Sequence, residues 1–308
     1  MIAFVFPGQG SQKVGMGRAL ADAYPEARTT FDEAEAALPG LARLIFEGPE
    51  ADLVLTQNAQ PAILTMSIAA QRVLASRGIA PCYVAGHSLG EYSANVAAGT
   101  MAFGDALKVV RRRGQYMQEA VPVGAGSMAA ILGLDADAVV RACEEASQGD
   151  VVSAANMNGA GQVVIAGATA AVQRAGERAR ALGARRVIPL AVSAPFHCAL
   201  LKPAEERLEP ELRALKVQNP RVPVVANVDA EPKRDAASAI DALVKQVSAP
   251  VRWEQVVQRL ASEGVTNYVE VGPGTVLSGL VKKIHKDARV FTFAGPDDLA
   301  EIEQSLRS

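Results

Sequence analysis

Gly86-His87-Ser88-Leu89-Gly90 sets a hydroxyl between two glycines, directly after the short apolar run Tyr83-Val84-Ala85. In a tight strand-to-helix turn the glycines remove Cβ atoms that would clash, pushing the central serine outward into a strained, exposed position. The turn also sets Ser88 at a helix N-terminus, where free backbone N–H groups and the positive dipole end can meet a developing oxyanion. The chemistry this permits is nucleophilic acyl transfer through the Ser88 hydroxyl. A plain helix cap flanked by turn glycines fits the same residues, and the bare pattern arises often by chance.

A serine hydroxyl needs a base, and the chain offers three histidines. His87 adjoins the serine, so its side chain is expected to leave the turn in another direction and bond locally. His285, in Lys282-Lys283-Ile284-His285-Lys286, reads as a solvated residue at a helix C-terminus. His197, in Ser193-Ala194-Pro195-Phe196-His197, sits on a loop and is the candidate base. A hydrolase with this order would carry a carboxylate between Ser88 and His197. Asp105 and Asp135 read instead as helix N-caps and Asp150 as part of a turn, so no third member is assigned and a plain esterase is disfavoured.

The elements that must position these groups follow from pattern. Ile2–Phe6 reads as a buried strand, ending in the loop Pro7-Gly8-Gln9-Gly10-Ser11-Gln12. That loop lacks the third glycine of a dinucleotide fingerprint and the Gly-Lys-Ser/Thr of a phosphate loop. Met16 to Pro39 reads as helical, Pro61 is expected to open a long helix closing at Gly78, and Cys82 to Ala85 reads as a strand. A further helix, capped by Asp105 and running to Met117, carries Arg111-Arg112-Arg113. From Ser127 to Leu190 the order is β-α-β-β-α-β, a ferredoxin-like module. The larger part is expected to resume near Ser193, with strands Val222 to Val228 and Tyr268 to Val271. The fold expected is therefore an α/β-hydrolase-like domain with a mostly parallel sheet (1–124 and 194–308) and an inserted ferredoxin-like domain (125–193). Short linkers, Pro122 to Gly126 and Val192 to Pro195, imply a cleft between the two.

Composition narrows the partners. With 308 residues and 49% apolar content the chain can bury a large core, and a net charge of −2 gives no global attraction to nucleic acid or anionic membrane. Cys82, Cys143 and Cys198 are isolated, suggesting neither a disulfide framework nor a metal site. The start runs directly into a strand without a basic leader, and no apolar run is long enough to span a membrane, so a cytoplasmic protein is expected.

The chain resembles the malonyl-CoA:acyl carrier protein transacylase family over essentially its whole length. The motifs that carry the resemblance are Phe6-Pro-Gly-Gln9-Gly-Ser-Gln12, Gly86-His-Ser88-Leu-Gly90, Arg113 through Pro122, Pro195-Phe-His197, Gln246 before Pro250-Val-Arg-Trp253, and Glu270-Val-Gly-Pro-Gly274. The resemblance implies Ser88 as acyl nucleophile, His197 as base, and Gln9 with Leu89 as backbone donors of the oxyanion hole. It makes Arg113 the clamp on the malonyl carboxylate, Gln246 the residue whose backbone carbonyl orients His197, and Phe196 part of a malonyl-type loop. A guanidinium suits that task because it grips a carboxylate with two parallel bonds. The implied partners are malonyl-CoA and holo-acyl carrier protein, with no cofactor, metal, nucleic acid or membrane, and a monomer is expected. Lys282, Lys283, Lys286 and Arg111 are candidates for docking an acidic carrier. A free-standing acyltransferase of polyketide synthesis and a thioesterase-like hydrolase stand as alternatives.

Overall fold

The computed structural model describes residues 1–192 and 194–306; Ser193, where the larger part was expected to resume, lies outside the described residues. The strands are β1 (Ile2–Phe6), β2 (Tyr83–Gly86), β3 (Gly126–Leu132), β4 (Val152–Gly159), β5 (Gln162–Ala168), β6 (Arg186–Pro189), β7 (Val224–Val225), β8 (Pro232–Lys233), β9 (Asn267–Val271) and β10 (Arg289–Phe293). One sheet runs β10-β9-β1-β2-β7-β8 and is parallel except at the β7–β8 edge. In β1, Phe4 and Phe6 face one apolar cluster, Ala3 and Val5 the other, where Trp253 and Tyr268 lie. Burial on both faces is why this strand reads as an unbroken apolar run.

The register decides where chemistry can occur. Phe6 pairs with Gly86, so the loops leaving β1 and β2 start side by side, and the His87 amide donates to the Phe6 carbonyl at 3.0 Å. Both loops leave from the carboxyl ends of parallel strands, the usual site of ligands in an α/β sheet.

The second sheet, β4-β5-β3-β6, is antiparallel. Its strands and the helices Ala136–Ser147 and Thr169–Ala181 alternate as β-α-β-β-α-β. One face buries Ile131, Val163 and Ile165 against those helices; the other packs Met128, Ala130 and Val164 against Cys198, Phe196 and Leu200. The segment that carries His197 is therefore clamped on the bare face of the small sheet.

Several local expectations are corrected. Pro61 lies inside the helix Thr56–Ser76 rather than at its start. The ring forfeits one i→i−4 bond, but the helix is buried around most of its circumference, and packing rather than propensity holds it. Met16 to Pro39 is two helices, Arg18–Ala23 and Pro25–Ala37, broken where Pro25 restarts the backbone at its own N-terminal turn. Asp105 sits in the first turn of Phe103–Glu119 and does not cap it; the flanking residue is Ala102. Val222 to Val228 contributes only Val224 and Val225 to the sheet, because the Asn227 amide turns away to a side-chain carboxylate. His285 is not simply solvated: it ends Val276–Ile284 with Nδ1 3.1 Å from the Tyr268 hydroxyl.

Gly114 fixes the distance between two helices that matter later. A Cβ there would stand 2.6 Å from the Gln57 Cα, so Phe103–Glu119 and Thr56–Ser76 touch backbone to backbone. Gly114→Ala must push the helices apart, an overpacking cost of about 1–3 kcal/mol. A thermal melt is expected to show Tm lower by about 3 °C or more; an unchanged Tm would mean that the helices are not in backbone contact.

Candidate active site

Ser88 precedes the helix Leu89–Ala98 with φ +52°, a conformation that a non-glycine residue adopts only when its surroundings force it. The surroundings are tight: a Cβ on Gly86 would meet the Gly90 carbonyl at 2.0 Å, and one on Gly90 would meet the Phe6 carbonyl at 2.0 Å. Only glycine at both positions lets the elbow lie this close to β1. Asn227 completes the brace, its Oδ1 accepting the Ser88 amide at 2.8 Å and its Nδ2 donating to the Gly86 carbonyl at 2.7 Å.

His197 also has positive φ, +61°, and is 3% exposed. Its Nε2 lies 2.7 Å from the Ser88 Oγ, and its Nδ1 lies 2.9 Å from the Gln246 backbone carbonyl. A carbonyl can only accept, so Nδ1 carries the proton and Nε2 is left free to take one from Ser88. Burial, and secondarily the Arg113 charge, push the His197 pKa down to about 3, against the raising effect of the Gln246 carbonyl. Among the described residues no carboxylate touches this imidazole.

Arg113 is 2% exposed, whereas its neighbour Arg112 on the same helix is exposed and pairs with Glu211. Its Nη1 donates to the Gln60 Oε1 at 2.7 Å, and its Nη2 to the Gln246 Oε1 at 3.0 Å and the Ser88 Oγ at 3.2 Å. The guanidinium also stands 5.3 Å from the Tyr92 ring centroid. Among the described residues no carboxylate lies within ion-pair distance of it. A buried cation held only by neutral acceptors is costly unless something anionic completes it.

A cavity of about 330 Å³ opens over Ser88 and is lined by Gln9, Leu89, Arg113, Phe196 and His197 on one side and by Met128 and Asn156 of the small sheet on the other. Gln9 is tied in through its side chain, whose Oε1 accepts the Thr56 hydroxyl at 2.7 Å; Thr56 in turn accepts Gln60 Nε2 at 3.1 Å. Among the described residues neither the Gln9 nor the Leu89 amide has a backbone acceptor. His87 points away from Ser88, with its Nε2 2.9 Å from Asn158 Oδ1, as the turn geometry implied.

Ser88, His197, Arg113, Gln246, Gln9, Leu89 and Phe196 thus converge. Three residues that sequence reasoning did not single out stand among them: Gln60, Glu91 and Asn227. Glu91 is 1% exposed, and burial pushes its carboxyl up to about 7, against the lowering effects of the Asn227 amide and the Gln246 side chain. An acidic residue three positions after the elbow serine, in an otherwise uncharged helix, was the available signal. The basic candidates for docking, Lys282, Lys283 and Lys286, are exposed.

The arrangement sets a serine hydroxyl against a neutral imidazole, with free backbone donors and a buried cation beside it, a geometry that can serve acyl transfer from an anionic acyl group. Comparison with known proteins agrees. The model of the acyl transferase domain matches residues 3–300. The chain is 47% identical over 308 residues to the malonyl CoA-acyl carrier protein transacylase of Bacillus subtilis (strain 168), covering 99% of this chain and 97% of the relative. It superposes with a TM-score of 0.96 on the crystal structure of an acyl carrier protein S-malonyltransferase from Vibrio cholerae, 46% identical, covering 98% of this chain and 99% of that one. A second structure, a malonyl-transacylase in complex with a type II PKS acyl-carrier protein, matches with a TM-score of 0.96 at 46% identity, covering 99% of each chain. The acyl transferase model spans nearly all of the chain, and with that identity to a named relative the chain belongs to the malonyl CoA-acyl carrier protein transacylase family of acyl transferase domains.

Proposed function

We propose that this protein transfers the malonyl group of malonyl-CoA to the thiol of holo-acyl carrier protein through an acyl-enzyme on Ser88, supplying extender units for fatty acid synthesis. Ser88 Oγ attacks the thioester carbonyl while its proton passes to His197 Nε2. The Gln9 and Leu89 amides receive the oxyanion; the C–S bond breaks, and His197 returns the proton to the departing CoA sulfur. The carrier thiol then gives its proton to His197 and attacks the ester, and Ser88 Oγ takes the proton back as the C–O bond breaks. Phe196 closes one wall of the acyl pocket. The observation that carries this reading is Arg113, a buried cation with no carboxylate partner among the described residues, 3.2 Å from the Ser88 hydroxyl. A malonyl carboxylate would complete it with two charge-assisted bonds, whereas a neutral acyl chain would leave it unpaired.

The reading includes a cytoplasmic monomer in which residues 125–193 form a small domain closing over the cleft. The free thiols of Cys82, Cys143 and Cys198 support a reducing compartment, and no helix among the described residues is long and apolar enough to cross a membrane. Because one similar malonyl-transacylase is described with a polyketide carrier, assays against both carrier types separate the two pathways.

Incubation with malonyl-CoA and intact-mass measurement should give a malonyl adduct on the wild type that discharges to added holo-carrier, and none on Ser88→Ala. Discharge to water at the same rate without carrier would make the protein a hydrolase instead. Arg113→Ala should lose malonyl transfer while acetyl transfer is retained or improved. Charge-assisted bonds are worth about 1.5–3 kcal/mol each, so the kcat/KM ratio for malonyl over acetyl should fall at least tenfold, roughly. An unchanged ratio removes Arg113 from acyl recognition.

Burial and the Arg113 charge both oppose imidazolium, so His197 should stay neutral from pH 8 down to about pH 5, where an ordinary histidine is already protonated. The linked stability has the matching sign. Because the folded pKa lies below the unfolded one, this contribution is present above about pH 6.5 and is lost as pH falls toward about 3. Imidazole NMR shifts report the ionisation directly, and a His197 midpoint near 6.5 would contradict this account.

A further inference from the structure

The carboxylate nearest the clamp does not touch it. Glu91 Oε2 accepts the Asn227 amide at 2.9 Å and the Gln246 Nε2 at 2.8 Å, and the other end of that same Gln246 amide, Oε1, receives Arg113. Gln246 Nε2 also donates to the Ser88 carbonyl at 2.9 Å. An amide has a donor end and an acceptor end, and this one has both assigned. Flipped, it would set its oxygen against the Glu91 and Ser88 oxygens and its N–H groups against those of Arg113. Each flipped contact joins like to like, so the acceptors on the Glu91 side dictate that an oxygen faces the guanidinium.

We propose that Glu91 is a positioning residue for acyl selection: by holding the Gln246 side-chain amide it aims a neutral acceptor at Arg113, which orients the guanidinium without occupying it as a counter-ion. This inference rests on the reading of Arg113 as the carboxylate clamp. A direct Glu–Arg pair would use the parallel N–H donors that a ligand carboxylate needs, and would cancel the charge that attracts it. One interposed amide gives direction and leaves the charge available. The role belongs to the oxygen acceptor rather than to its charge, because the carbonyl of a neutral carboxylic acid accepts from the same two donors. Glu91 is placed for this by the elbow itself. It is the third residue of the helix that follows Ser88, with its amide bonded to the Ser88 carbonyl at 3.1 Å, so the nucleophile and the anchor of the clamp share one turn of backbone.

Two conservative variants separate acceptor from charge. Glu91→Gln keeps an oxygen at the same reach and removes the charge; Glu91→Asp keeps the charge and withdraws the oxygen by one methylene. The measurement is kcat/KM for malonyl-CoA and acetyl-CoA with holo-carrier protein as acceptor, with thermal melts to verify folding. Glu91→Gln is expected to hold the malonyl-to-acetyl ratio within about threefold, and Glu91→Asp to lower it by about tenfold, mainly through malonyl, as for loss of a hydrogen bond to a charged group. The reverse order, or an equal loss with both substrates, would overturn the proposal and make Glu91 a structural or charge-balancing residue. Should Glu91→Asp fail to fold, Gln246→Leu takes its place: it must lower the ratio comparably while its backbone carbonyl still serves His197, and an unchanged ratio overturns the proposal. Arg113→Ala run alongside distinguishes the two levels. If its ratio is unchanged the clamp reading has failed, whereas a collapse there beside an unaffected Glu91→Asp sinks this inference alone.

Discussion

A guanidinium taken out of water with no carboxylate beside it among the described residues is the constraint to which the rest of the site answers. Removing a cation from solvent costs several kcal/mol even after relaxation, so Arg113 has to be supported by fixed dipoles until an anion arrives. The support comes from Gln60 on one helix and Gln246 at the end of another, both neutral, and Gly114 allows the Arg113 helix close enough to reach the first of them. The same cation depresses the basicity of His197, so the group proposed to select the substrate also keeps the proposed base in its proton-accepting form.

Left-handed backbone occurs at both candidate reacting residues, as it does at Gln148, Ala160 and Ala230. Ser88 and His197 both hold positive φ, and each is held by a different layer: the serine by the glycines and Asn227 against β1, the histidine by Phe196 and Cys198 packed on the outer face of the small sheet. Gln246 joins the two systems, since its backbone carbonyl holds His197 while its side chain holds Arg113 and the Ser88 carbonyl. A backbone acceptor is enough to fix the tautomer. It adds no negative charge, which would attract the imidazolium and repel an anionic acyl group from the same pocket.

What could be read from the sequence divides along the range of the interactions. The elbow, β1, β9 and the β-α-β-β-α-β segment depend on neighbouring residues, through apolar runs, glycine spacing and turns, and they were legible. Glu91 was not, because its partner Gln246 is 155 positions away and only the fold shows that the two meet. Pro61 misled because local propensity marks a helix start where tertiary burial overrides it. β10 went unread although Arg289-Val-Phe-Thr-Phe293 is rich in β-branched and aromatic residues, and β7 was overread because a strand-like sequence gives up its ladder where Asn227 turns to serve the elbow. The reading of Arg113 came only through the family resemblance, since an arginine beside Arg111 and Arg112 has no local mark of burial.

The central claim is that the ligand's carboxylate completes Arg113, and binding without chemistry tests it most directly. Calorimetric titration of Ser88→Ala with malonyl-CoA and with acetyl-CoA compares two ligands that differ at that carboxylate. Two charge-assisted bonds to a desolvated cation predict that malonyl-CoA binds more tightly by at least about tenfold. Equal affinities would mean that Arg113 meets no carboxylate in the complex, and the account of this site would be wrong.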